Sequence, residues 1–196
     1  MVPTVGRRVR RSPGVGMLVV TAALSGEVGR QFGLRALRRR EGNRMARFIG
    51  LDEADARRRL STVGTELVPV GTTGSEAETA AIAAVLPEDE RQERGVYVAL
   101  PPAPGREHEG PCVWHTNAVH EAHTVTSGLG ILEFITDEGV VSAVIEAGHL
   151  MVIRSAEHRL LPLVEQRLVV HYSGPADGEV GYVATGRTPE PWPRIT

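Results

Sequence analysis

From Gly95 onward the chain breaks into short segments rich in Val, Ile, Thr and Tyr, and this spacing constrains the fold more than any other feature. "GVYVALPP", "CVWHTN", "EAHTVTS", "GILEFITD", "VVSAVIEAG", "LMVIRS", "HRLLPL", "QRLVVHYS" and "VGYVATG" follow one another closely, and Gly, Pro, Asn or Asp separates many of them. β-branched segments of this length, bounded by turn formers, predict strands, and a run of them predicts an all-β barrel or sandwich. Periodicity does not separate those two, and no internal repeat is visible. The closing stretch "TPEPWPRIT" holds three prolines and is expected to lie irregularly over the strands.

Upstream the period is helical. "LDEADARRRLST", residues 51–62, has acids in its first turn and arginines later, which suits the helix dipole. Ser75 and Glu78 have the spacing of a capping box ahead of an Ala-rich run that Pro87 stops. "EDERQER" reads as a solvated charge run. These pieces predict a short helical extension before the strands. At 196 residues and 41% hydrophobic, the chain is long enough for one compact domain with a core.

The net charge of -2 hides an asymmetry. Residues 1–44 carry ten arginines against Glu27 and Glu41, and the acids are concentrated after them. The basic arm lacks interleaved aromatics and any zinc-finger or helix-turn-helix pattern, so no nucleic-acid partner is expected. "RRVRR" before "VGMLVVTAAL" has the flavour of a signal peptide, but the apolar stretch is short and no small-residue cleavage site follows. The reading adopted is a start at Met45, with residues 1–44 an extension that is disordered or not translated and residues 45–196 the domain. No apolar run is long enough to span a bilayer, and the single cysteine, Cys112, excludes an internal disulfide framework. A cytoplasmic monomer or homodimer is expected.

The chemistry concentrates in "WHTNAVHEAHTVTSGLG", residues 114–130. Alternate side chains of a strand share a face. Val113, His115 and Asn117 then share one face, and Glu121, His123 and Val125 share another. A hairpin with His115 and Glu121 on its inner faces can place both on one ion, and His158, where a later strand begins, can return as a third ligand. Two imidazoles and a carboxylate form the facial triad of non-haem iron(II) enzymes, with positions open for substrate and dioxygen. The same donors accept nickel, manganese, cobalt or zinc. His108 and His120 are expected at the surface, as is His149 in an apparent turn. His171 alternates with apolar residues and is expected in the core or a pocket. Trp114 points away from His115 and is expected to pack. A carboxylate at Glu121, if turned into a barrel, needs a cation or a strong donor.

"HTNAVHEAHTVTSGLG" followed by "EAGHLMVIRSAEH" resembles the two motifs of the cupin superfamily, and within it bacterial acireductone dioxygenase most closely. His115, Glu121 and His158 fall at that family's ligand positions, with Gly128, Gly130 and Gly148 at its glycines. "QRLVVHYSGPADGEVGYVATGRTPEPWP" resembles the family's C-terminal segment, with Arg167 at its arginine. The resemblance covers roughly residues 90–193, with a weaker helical match from about 46. Four positions depart from it. Asn117 stands at the second histidine ligand, His123 at an arginine that helps hold the substrate, His149 at an aspartate and Arg154 at a proline.

The resemblance implies a cupin, a double-stranded β-helix or jelly-roll-like barrel. It implies a dioxygenase of the methionine salvage type, acting on an enediol or acireductone-like small molecule with O2. One divalent transition metal, Fe(II) or alternatively Ni(II), would be held by His115, Glu121 and His158. His123 would act as general base or hydrogen-bond donor, since histidine ordinarily titrates near neutrality. Asn117, Arg154 and Arg167 would contact substrate, with Asn117 a weak oxygen ligand or His123 the missing fourth one. The altered ligand set also suits a metal-dependent cupin isomerase or lyase, or a binding cupin without catalysis.

Overall fold

The strand-like segments assemble into two antiparallel sheets that face each other. The computed structural model describes residues 47–71, 74–86, 91–154, 156–173, 181–188 and 190–193, so the basic arm of residues 1–44 and the start expected at Met45 lie outside the described residues. In chain order the elements are β1 (Arg47–Phe48), α1 (Glu53–Thr62), β2 (Thr65–Pro69), α2 (Glu76–Val85) and β3 (Arg91–Ala99). After a 3-10 turn at Gly110–Cys112 come β4 (His115–Thr116), β5 (His120–Ser127), β6 (Leu129–Thr136) and β7 (Gly139–Glu146). β8 (His149–Arg154), β9 (His158–Pro162), β10 (Gln166–Ser173) and β11 (Val183–Ala184) complete the set. One sheet runs β1-β7-β6-β9-β4-β11 and the other β2-β8-β5-β10-β3. The expected all-β architecture holds, with the two helices ahead of most of the strands.

Both helices start as their sequences dictate. Asp52 caps α1 by accepting from the Asp55 amide at 2.9 Å, and Ser75 caps α2 by accepting from the Glu78 amide at 3.1 Å. The Glu78 carboxylate does not return to Ser75, as a capping box would have it. It is buried and accepts from the Gly74 amide and the Thr124 hydroxyl, which ties α2 to β5.

Three apolar layers result. Between the sheets lie Val125, Leu132, Phe134, Met151, Ile153, Leu160 and Leu168, joined by Ala56 and Leu60 of α1. Ile82 and Val85 of α2, with Leu86 at its C-cap, cover Ala122, Leu150 and Val152 on the outer face of the five-stranded sheet. On the outer face of the six-stranded sheet, Trp192 packs against Cys112, Ile131, Val144 and Leu161. Trp192 of the proline-rich stretch thus lies against a sheet, as expected of it. Burial pushes the Cys112 thiol up to about 12, so it behaves as a small apolar side chain.

A buried ion pair crosses that last layer. Arg159 and Glu133 are register partners across β9 and β6, and Nε of Arg159 donates to Oε2 of Glu133 at 2.7 Å. Ser142 donates to the other carboxylate oxygen at 2.6 Å. The guanidinium lies between the Trp114 ring at 4.5 Å and the Trp192 ring at 3.9 Å, so Trp114 packs as expected.

Gly-x-Gly at Gly128 and Gly130 is explained by close approach. A Cβ on Gly128, whose φ is +91°, would lie 2.2 Å from the Glu165 carbonyl oxygen, and one on Gly130 would lie 2.5 Å from Oε1 of Gln166. Only glycine lets β6 start this near the turn into β10.

The Glu133→Gln variant leaves Arg159 buried without its counter-charge and should cost about 3–5 kcal/mol. Urea unfolding checks this, and a loss below about 1 kcal/mol would show that the pair does not hold the layer.

Candidate active site

His115 and His158 are register partners across β4 and β9, so strands far apart in sequence place their rings side by side. Ring centroids are 4.3 Å apart. Nδ1 of His115 lies 2.8 Å from the Val113 carbonyl oxygen, and Nδ1 of His158 lies 2.8 Å from that of Ala156. A carbonyl only accepts, so each Nδ1 carries the proton and each neutral ring leaves Nε2 as a bare lone pair. Both rings are held neutral. Burial, then the neighbouring His115, pushes His158 down to about 4, and burial likewise lowers His115.

The facing sheet supplies Glu121 and His123 from β5. The sequence predicts a hairpin carrying His115 and Glu121, and this is corrected: β4 and β5 lie in different sheets, and the chain crosses between them at Asn117–Val119. The two side chains therefore meet across the interior. Ile153 and Tyr172 flank Glu121 in register on the neighbouring strands.

Glu121 is 1% exposed. Burial works against its charge, but the His123 contact and the fields of His123, His158 and His115 outweigh it and hold the carboxyl below its ordinary range. Asn117 donates its amide to Oε1, which leaves Asn117 Oδ1 buried with no hydrogen-bond partner among the described residues. On the other oxygen, Oε2 lies 2.8 Å from Nε2 of His123, without the alignment of a hydrogen bond. That separation resembles two adjacent ligands of one ion, which sit about 3 Å apart when each bond is about 2.1 Å.

His115, Asn117, Glu121, His123 and His158 line one cavity of about 240 Å³. The structure therefore brings together the three expected ligands, the expected base and one expected substrate contact. Among the described residues no three His, Cys, Asp or Glu side chains are already disposed to hold a metal ion. The donor chemistry nevertheless fits one: two neutral imidazoles with Nδ1 fixed, and an anionic carboxylate on the same cavity.

Arg154 and Arg167 are not brought to this cavity. Met151 and Ile153 of β8 face it, so Arg154, one residue out of phase, turns outward towards the Ala84 carbonyl at 3.5 Å. Leu168 faces it from β10, so Arg167 turns outward and pairs with Glu165 at 3.0 Å. His149, expected at the surface, is 2% exposed. The segment after β2 covers its turn, with the Val70 amide bonded to the Gly148 carbonyl at 2.8 Å. His108 and His120 are exposed as expected. His171 is half-buried in register with Ala122 of β5 and does not line the cavity.

Sequence reasoning missed three tyrosines. Tyr182 stacks on His115 with centroids 4.5 Å apart, and Tyr172 meets His123 edge-on at 5.7 Å. Tyr97 lines the cavity from β3. The alternation Leu168, Val170, Tyr172 carried a signal for Tyr172. Nothing local in "VGYVATG" carried one for Tyr182, since its approach depends on Gly181, where a Cβ would lie 2.6 Å from that of Ala118.

No family model matches the chain, and no curated protein matches it. Among the described residues no helix is long and apolar enough to cross a membrane.

The depressed His158 gives a pH signature. Above about pH 6.5 the ring is neutral in both the folded and unfolded chain; from 6.5 down to about 4 the unfolded chain binds a proton that the fold refuses. Stability therefore falls as pH falls through this window, by up to about 1.4 kcal/mol per pH unit. Urea midpoints of metal-free protein should drop less steeply in His158→Gln than in the wild type; equal slopes would show that His158 is not the group responsible.

Proposed function

We propose that the chain is a metal-dependent cupin dioxygenase acting on an enediol, or acireductone-like, small molecule with O2. The observation that carries the reading is the paired, Nδ1-anchored His115 and His158 facing the buried Glu121 carboxylate. Two facing antiparallel sheets around that trio support a cupin barrel, and the resemblance of residues 115–130 and 146–158 to cupin motifs agrees with it. His115, Glu121 and His158 would hold the metal, Fe(II) or alternatively Ni(II), which supplies Lewis acidity and, with iron, a route for electrons to O2.

The chain's own residues have separate tasks. The carbonyls of Val113 and Ala156 hold both imidazoles in the tautomer that presents Nε2. Asn117 fixes the carboxylate through Oε1 and would contact substrate from the cavity wall. His123 takes the proton of a substrate hydroxyl at Nε2, and Glu121 beside it stabilises the resulting imidazolium. The apolar walls keep water from the reacting atoms.

The His123–Glu121 contact also favours a second reading. A base beside a carboxylate can move a proton between neighbouring carbons, which is isomerase chemistry and consumes no O2.

Oxygen uptake by full-length protein reconstituted anaerobically with Fe(II), then mixed with an acireductone, tests the first reading. Uptake stoichiometric with substrate loss is expected. His115→Ala and His158→Ala should each weaken metal binding at least about tenfold, read by elemental analysis. Substrate turnover without O2 loss selects the isomerase, and full metal occupancy in both variants contradicts the ligand assignment.

A further inference from the structure

The strands that end the two sheets are not equally protected. β1 and β11 are two residues long, and β2 carries the exposed Glu66 and closes on Pro69. Short length, a charge or a proline keeps such an edge from pairing with another chain. β3 and the residue after it read "VYVAL" over residues 96–100, with no charge and no proline. On one side β3 pairs with β10; on the other, no strand pairs with it among the described residues.

The free stretch has fixed ends. The ladder to β10 is irregular between Val170 and His171, beside Gly95, whose φ is +93°. At the other end Pro101 has no amide hydrogen to donate. Between them Val96, Val98 and Leu100 are 62%, 43% and 61% exposed. Val98 is in register with Arg167 and Val96 with Val169, so this stripe faces outward, whereas Tyr97, in register with Leu168, takes the cavity side. The Arg167 charge beside the stripe is already matched by Glu165 at 3.0 Å. Tyr182 and Val183 adjoin it at the end of the facing sheet, so the exposed large apolar side chains among the described residues all gather at this one end of the molecule. Half-exposed side chains of this size offer roughly 500 Å² per chain, and two copies about 1,000 Å², where specific association begins.

A second copy is the occupant that the stretch itself selects, because read antiparallel it is its own complement. A twofold axis through Val98 uses all of it: Val98 faces Val98 of the second copy, Val96 faces Leu100, and Tyr97 faces Ala99. A shift of the pairing one way sets Leu100 against Arg94, and the other way sets Val96 against Pro102. We propose that β3 is an interface between copies of this chain, which meet antiparallel along residues 96–100 about an axis at Val98 and join their five-stranded sheets into one. Main-chain hydrogen bonds along the paired edges and the interlocked Val96, Val98 and Leu100 stripes hold the dimer. The inference stands apart from the reading of the cavity and needs no metal.

Sedimentation velocity of the full chain across micromolar concentrations tests this. The wild type should sediment as a dimer that dissociates on dilution. Val98→Lys and Val98→Glu, at an outward and exposed position, should leave the far-ultraviolet circular dichroism unchanged. Each should weaken the dimer at least about hundredfold, because like charges then meet on the axis. An equimolar mixture of the two variants should restore the dimer, since opposite charges then meet there. Amide exchange of residues 96–100 in the wild type should slow as concentration rises through the same range. A wild type that is monomeric throughout, a dimer indifferent to either variant, or a mixture that stays monomeric overturns the inference. Exchange at residues 96–100 that is indifferent to concentration overturns it even where a variant fails to fold.

Discussion

A carboxylate buried between two apolar sheets is the constraint from which the rest of the site follows. An anionic Glu121 in that position is costly unless donors or cations surround it. The chain answers with the Asn117 amide donating to one oxygen and His123 2.8 Å from the other, and the neutral rings of His115 and His158 lie across the interior. Their placement requires the His115–His158 register between β4 and β9 and the phase of β5 that turns Glu121 and His123 inward together. A slip of one residue in β5 would send both to the α2 side and bring Ala122 and Thr124 to the cavity.

The outer layers hold this arrangement in place. Trp114 precedes His115 and Arg159 follows His158, so the same two strands present their imidazoles inward and a guanidinium stacked on indole outward. The Glu133–Arg159–Trp192 assembly therefore clamps the backbone from which both imidazoles project. On the other sheet, Glu78 of α2 reaches Thr124, between His123 and Val125. Side chains remote from the cavity thus fix where its polar side chains sit, which is the preorganisation that a functional site needs.

Much of this was legible in the sequence, and the parts that were not share a cause. The strand segments from Gly95, the helix at 51–62 and the Ser75 cap are local signals, and their elements form where those signals lie. β3 begins earlier, at Arg91, inside a charged run that reads as solvated loop, and β1 and β2 form upstream, where no strand was expected. His115, Glu121 and His158 were singled out by alternation and by the motif resemblance, and they line one cavity. Their mode of meeting was not legible. β4 is two residues long and pairs with β9 and β11, both remote in sequence, so short-range spacing suggests a hairpin where the chain instead changes sheets. Arg154 and Arg167 show the limit of alignment by resemblance, since each is one residue out of phase with the cavity face. His149 was misplaced because a segment from before α2 buries its turn, and Tyr182 was missed because its contact depends on Gly181 touching Ala118.

The central claim is that His115 and His158 present bare Nε2 atoms, anchored through Nδ1, to one ion shared with Glu121. Nitrogen-15 correlation spectra of the imidazole rings, recorded near pH 7 during a Zn(II) titration, test it most directly. The account predicts both rings neutral with the proton on Nδ1 before metal is added, and Nε2 signals of both shifting together to saturate at one equivalent. Rings protonated on Nε2, or Nε2 signals indifferent to Zn(II), would contradict it.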